Sequence, residues 1–377
     1  MGINLMEPKK GKVKGDSIGS MQREYIIGRE AADERPAGYL GHYRAPDGSR
    51  TEPLYLDLDG PHAALVVGKR GYGKSYTMGV IAEELARTDG VAPVVVDPMG
   101  AFETMGEGSD GEPVSTAIDD DPVVAPSSLD PRSWCSMLEL SPESGAGGLV
   151  WRAAAERSTI PGMREHVVDT DAPDRDKRAA LNHLDLAETW EVFDEQGLSA
   201  ADLATPEVTV LNVSELDAAP MNAVVRGVAE TLYAARVERQ VHRLPWLMID
   251  EVHTFFDGVA GGALETLLTR GRAPGVSAVL ATQRPSAIPE VGISQADLLV
   301  AHRLTSREDL DALTDAQPTY MDGSLDEQMP GTPGETIIID DATESVHSVL
   351  VRERDTPHGG GSPSVSALDD GTPTVEH

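Results

Sequence analysis

Residues 68–75 read GKRGYGKS, and three glycines spaced before Lys74-Ser75 are the pattern most able to do chemistry in this chain. Gly68, Gly71 and Gly73 let the backbone curl so that successive N–H groups point into one concavity, where they can hold phosphate. Lys74 can reach the outer phosphates of a nucleoside triphosphate, and the Ser75 hydroxyl suits a Mg²⁺ ion. Tyr72 inside the loop and Tyr76 just after it complete the stretch expected to contact the nucleotide. The apolar run 63–67 precedes the loop, and Met78, Ile81 and Leu85 follow it at helical spacing. A buried strand therefore enters the loop and a helix leaves it, its amino end adding positive potential at the phosphates. ATP with Mg²⁺ is the expected ligand.

A second group lies far downstream. Residues 246–251, WLMIDE, form an apolar strand that ends in two carboxylates. On a phosphate-loop fold, Asp250 is placed to hold the metal and Glu251 to act as general base or to orient the attacking water. The next apolar strand, 276–282, ends in Gln283, which can sense the γ-phosphate and hydrogen-bond the lytic water. Arg272 lies just before that strand, at the exposed end of a helix. It fits a solvated helix-end cation, and equally a finger reaching a neighbour's nucleotide. Pattern alone leaves both open.

The elements that must position these residues follow from periodicity. Apolar strands at 63–67, 93–97, 207–213, 246–250, 276–282 and 298–304 alternate with helices at 74–87, 219–241 and 260–270. That alternation predicts an α/β fold with a mainly parallel sheet covered on both faces. Residues 21–60 hold short alternating stretches separated by turn signals, and predict a small antiparallel β element. Residues 104–205 break the alternation: a Gly/Asp/Pro-rich stretch from 106 to 131 leads into a polar helical segment, a helical insertion between two core strands. A hairpin is expected at 336–340 and 345–352. Residues 1–20 read as a flexible basic tail and 356–377 as a disordered acidic one.

Composition sets the setting. No apolar run approaches the ~20 residues of a membrane span, and no signal peptide or myristoylation pattern opens the chain, so a cytoplasmic protein is expected. Cys135 is the single cysteine, which removes disulfides and cysteine metal clusters and suggests a buried apolar role. The net charge of −32 argues against a nucleic-acid partner if taken alone. Yet lysine occurs at only seven positions, while Asp and Glu are spread evenly along the chain. That dispersion looks like the habit of halophilic proteomes, where a Debye length of about 3 Å screens self-repulsion.

With these residues in view, the chain resembles the HerA/FtsK superfamily of ring-forming DNA-pumping ATPases. The segment GRAPGVSAVLATQRPS carries the likeness, and the order of elements agrees over roughly 61–355. Also similar are Asp97-Pro98-Met99-Gly100, the stretch LMIDEVH with His253, Ser294-Gln295-Ala296-Asp297, Arg303, and the closing RDTPHGG from Arg354. The resemblance implies a RecA-like phosphate-loop NTPase of haloarchaeal type, a helicase-like translocase acting on double-stranded DNA as a homo-oligomer, a hexamer, with end processing beside a nuclease partner as one setting and segregation or DNA packaging as others. It implies Arg272 as an arginine finger acting in trans, Gln283 as sensor, and Arg303 as an interface candidate. Departures are the short 20–60 segment, where the family has a β-barrel, and the missing acidic residue after Gly100. The alternative is an ATP-switched assembly module of a defence or regulatory complex that moves no DNA.

Overall fold

The computed structural model describes residues 25–30, 33–107, 114–315, 320 and 325–359. The expected tail 1–20 and all but 356–359 of the expected acidic tail lie outside them. Among the described residues, twelve strands join in one sheet. The first three are β1 (Ile26–Ile27), β2 (Ala37–Arg44) and β3 (Arg50–Asp57). Then come β4 (Ala63–Val67), α1 (Lys74–Ala86), β5 (Val91–Asp97) and β6 (Thr116–Asp119). Five helices follow: α2 (Pro131–Met137), α3 (Gly145–Glu156), α4 (Ile160–Asp169), α5 (Asp174–Glu188) and α6 (Ala200–Leu203). The core resumes with β7 (Val208–Asn212), α7 (Ala218–Val237), β8 (Leu244–Ile249), α8 (His253–Phe256), α9 (Gly261–Arg270) and β9 (Ser277–Thr282). It closes with α10 (Glu290–Ser294), β10 (Leu298–Ala301), α11 (Arg307–Asp315), α12 (Leu325–Gln328), β11 (Glu335–Asp340) and β12 (Ser345–Val351).

Seven strands, in the order β10-β4-β9-β8-β5-β7-β6, run parallel, as the alternation of strands and helices requires. Their two-residue side-chain period divides the core cleanly. Leu65, Val67, Val96 and Ile249 face the layer built by α7, α9 and the insertion helices. Val66, Val95 and Met248 face Met78, Ile81 and Leu85 of α1. Pro93 sits inside a central strand without breaking it, because pairing to β7 begins only at Val94. The insertion is bound to the main core: Trp134, Leu149, Met163 and Leu184 share the cluster that contains Val224 and Leu264, and Cys135 is buried among them. Four insertion helices start at side-chain caps, Asp130, Ser144, Thr159 and Ser199, each worth about 1 kcal/mol to its first turn.

Two findings differ from the sequence expectation. The N-terminal β element continues the main sheet, because β12 pairs antiparallel with β2, Leu350 opposite His42. The unpaired edges of two hairpins satisfy each other, and Leu40 and Leu54 join the α1 side of the core. Within the Gly/Asp/Pro-rich stretch, β6 adds itself parallel to β7, covering what would otherwise be the sheet's open edge. Among the described residues, no helix is long and apolar enough to cross a membrane.

Candidate active site

Strand β4 ends at Val67 and the chain turns at once into the phosphate-binding loop. Gly68 must be glycine here: a Cβ would lie 2.6 Å from the Cβ of His302, which follows the adjacent strand β10. Gly73, with φ +114°, makes the last turn before α1, a conformation that side chains rarely adopt. His302 is fully buried beneath this loop, Nδ1 3.0 Å from the Glu335 carbonyl and Nε2 3.0 Å from Thr77 Oγ1. Burial, opposed by the Glu335 bond and aided by the Lys74 charge, pulls its pKa down to about 4. This neutral histidine anchors the loop from below.

A depressed histidine contributes stability that is whole above its ordinary pKa of 6.5 and is lost as pH falls toward 4. Wild type should therefore lose more melting temperature than His302→Gln between pH 7 and pH 4. Parallel slopes in thermal melts would remove His302 as the anchor.

Strand β8 ends at Ile249, so Asp250 and Glu251 occupy the turn beyond it, at the same carboxyl edge as the loop. Ser75 Oγ donates to Asp250 Oδ2 at 2.5 Å, and Lys74 Nζ lies 3.8 Å from Glu251 Oε1. Lys74, Ser75, Asp250 and Glu251 are thus brought together. Glu251 holds φ at +45°, a strained value for a residue with a side chain, and its N–H donates to Asp250 Oδ1 at 2.8 Å. Its Oε2 is buried without a hydrogen bond. Burial raises the Glu251 pKa, Lys74 opposes and Asp250 adds to it. His253 Nδ1 lies 3.4 Å from that orphaned oxygen and 3.2 Å from Thr282 Oγ1. Burial and the charges of Arg284 and Lys74 lower the pKa of this ring, which disfavours its charged form beside Glu251.

Strand β9 lies between β4 and β8, so Gln283, one residue past its end, stands between the loop and the acidic turn. Asp97, wholly buried at the end of β5, accepts the N–H groups of Met99, Ala101 and Phe102 and so shapes the neighbouring turn. The loop, the acidic turn and the turn after β5 line one end of a cleft of about 620 Å³ through Gly71, Gly73, Lys74, Ser75, Met99, Ala101, Asp250 and Glu251, whereas Gln283 is not among its lining residues. Tyr76, Leu350, Val351, His358 and Gly359 line other parts of it. The side chain of Tyr72 instead packs under Lys69, whose ammonium lies 4.4 Å from its ring centre.

The oxygens of Ser75 and Asp250 are hard donors that fit Mg²⁺. Among the described residues no group of three or more His, Cys, Asp or Glu could hold a metal, so phosphate oxygens would have to complete the shell.

Arg272 is elsewhere. Its Nη1 lies 3.4 Å from Asp297 Oδ2, and Asp297 receives the N–H of Ala63, the first residue of β4. The five-residue strand β4 therefore separates Arg272 from the loop by about 16 Å at ~3.3 Å per residue. Arg303 stays near the loop, its carbonyl accepting the Lys69 N–H at 2.8 Å and its guanidinium donating to Pro330 O.

Pattern reading passed over His302, and it noted the closing segment from Arg354 only as part of the resemblance while expecting disorder from 356, whereas Thr356 is buried and bonded to Glu83 on α1. The signal for the first was its place past a strand tip, where parallel sheets put ligand contacts. The second showed itself in Gly79, a glycine inside an apolar helix. A Cβ there would lie 2.5 Å from the Arg354 guanidinium.

A family model described as the central domain of the helicase HerA matches residues 39–229, a span that ends before the acidic turn. No curated protein matches. Among solved structures, VirB4 of Thermoanaerobacter pseudethanolicus is similar with a TM-score of 0.64 at 14% identity, over 86% of this chain and 98% of that one. The bacterial conjugative coupling protein TrwB, as the unbound deltaN70 form, gives 0.53 at 14% identity over 82% and 90%. Its complex with ADP and Mg²⁺ gives 0.53 at 13% over 78% and 86%. At such identities these likenesses establish the RecA-like α/β fold.

Proposed function

The chain belongs to the family of the helicase HerA central domain, within the HerA/FtsK superfamily, and from that premise we propose that it hydrolyses ATP with Mg²⁺ in a ring of identical subunits, a hexamer, to move double-stranded DNA. One observation carries the reading. Lys74, Ser75, Asp250 and Glu251 converge at one edge of the sheet while Arg272 stands at the other, half exposed. The loop N–H groups and Lys74 bind the phosphates. Ser75 and Asp250 would hold the metal, which when bound offsets negative charge on the β and γ phosphates. Glu251 accepts a proton from the attacking water, its burial-raised pKa making it a better base near neutrality. Gln283 orients that water from between the two strands. Arg272 meets the charge that develops on a neighbour's nucleotide. The solved TrwB complex with ADP and Mg²⁺ supports an adenine nucleotide with Mg²⁺ as the ligand here.

Turnover measured at molar salt, with and without duplex DNA, tests the reading. Lys74→Ala and Arg272→Ala should each be inactive alone and regain turnover when mixed, since each supplies what the other lacks. Full activity of Arg272→Ala by itself would end the shared-site reading. The net charge of −32 favours a second reading, an ATP-switched module assembled on a protein partner. That reading holds if a protein partner raises turnover and duplex DNA does not. A nuclease partner and a molar-salt habitat belong to the first reading and are tested with it.

A further inference from the structure

At the amino edge of the sheet a row of charges is buried. Arg29 Nη1 lies 2.7 Å from Asp57 Oδ1, and Asp57 Oδ2 lies 3.3 Å from His62 Nε2. His62 Nδ1 is 2.9 Å from Asp297 Oδ2, the same oxygen that faces Arg272 at 3.4 Å. The signs alternate along the row, and the first four side chains are no more than a tenth exposed, whereas Arg272 is 47% exposed. Gly28 closes over the His62 ring so tightly that a Cβ would lie 2.6 Å from Cε1. Trp246 packs on the ring at 5.8 Å between centres. Burial opposes a charge on His62, but the bonds to Asp297 and Asp57 outweigh it and hold its pKa at about 9.

Asp297 cannot drift. Its Oδ1 accepts the Ala63 N–H at 2.8 Å, and its own N–H donates to the Ala63 carbonyl at 2.9 Å. We infer that Asp297, fixed by Ala63 and backed by His62 and Asp57, is the positioning residue that aims Arg272 outward at a neighbouring subunit's nucleotide. This rests on the shared-site reading proposed above. A free arginine loses rotamer entropy when it is ordered, and a displacement of 1 Å in a catalytic group can cost ~10²-fold in rate. An ion pair as exposed as this one is weak. It biases the side chain without holding it back from phosphate. The buried members behind it hold the carboxylate in place.

Mixed-subunit turnover tests this. Lys74→Ala mixed with Arg272→Ala is the reference, because only Lys74→Ala subunits then supply fingers, and only those facing an Arg272→Ala subunit meet an intact loop. Replacing the finger donor by the double variant Lys74→Ala/Asp297→Asn should lower that turnover at least ~tenfold with KM for ATP unchanged. Placing Asp297→Asn instead in the Arg272→Ala subunit, the loop provider, should leave the reference turnover in place. Equal losses from both placements, or no loss from the donor, overturn the proposal. Should Asp297→Asn fail to fold, Asp57→Asn behind His62 must give the same one-sided loss at smaller amplitude; a two-sided loss or none is again fatal. A reference mixture with no activity would instead condemn the shared site itself.

Discussion

Glu251→Gln should lower kcat for ATP by about 10³-fold while ATP still binds. The substitution keeps the size of the side chain and removes the proton acceptor. Binding is retained because the loop N–H groups, Lys74 and Ser75 are untouched. Two further observables belong to the same change. In wild type the working form is the carboxylate, and burial raises its pKa, so turnover must rise as pH climbs through that raised value. The glutamine variant should lose that limb. The folded protein also carries a cost above the ordinary carboxyl pKa, since a raised folded pKa disfavours the ionised form. Glu251→Gln should therefore melt higher than wild type at neutral pH. Steady-state turnover, nucleotide titration and thermal melts check the three. A kcat loss below tenfold would take Glu251 out of the proton transfer.

The second large effect is structural. Glu83 on α1 has no exposed surface and is held almost entirely by the closing segment. It accepts the Thr356 N–H at 2.9 Å, the Thr356 hydroxyl at 2.6 Å and the Asp355 N–H at 3.2 Å. Arg352 lies 2.8 Å away and Arg354 3.7 Å. Glu83→Leu leaves the Arg354 guanidinium, itself 1% exposed, without its carboxylate. Breaking such a buried set by removing one partner costs about 3–5 kcal/mol. The same segment places His358 and Gly359 along the nucleotide cleft, where His358 packs against Tyr76 at 5.9 Å and Tyr76 Oη accepts the Arg354 N–H at 2.7 Å. ATP affinity should fall at least ~tenfold, equal to 1.4 kcal/mol. Denaturant unfolding and nucleotide binding read the two effects. A stability loss under ~1 kcal/mol, or an unchanged Kd, would mean the segment merely rests on α1.

The parts of the fold that were legible in advance are those whose cause is local. A glycine-rich turn between an apolar strand and a helix determines its own geometry, so residues 68–75 could be placed without the rest of the chain. The acidic turn was legible because an apolar run of strand length ends in it. What escaped prediction joins residues that are remote in sequence. Val351 pairs with Gly41, His62 with Asp297, and Thr356 with Glu83. No periodicity records such partnerships, since each half looks like an ordinary edge strand or a surface charge until the other arrives. Strand β6 was hidden for a related reason: four residues inside a Gly/Asp/Pro-rich stretch become a strand only because β7 offers an open edge.

The short parallel strand β4 has one last consequence. It carries the nucleotide loop at its end and the support of Arg272 at its start. In the proposed shared site, a head-to-tail contact between two copies leaves one acceptor and one donor unused, and each invites another copy. Such an association is polar and ends only by closing on itself or by running on as a filament. Whether assembly stops at a fixed number is then decided by the angle between successive copies. The chemistry at the contact is the same in both outcomes.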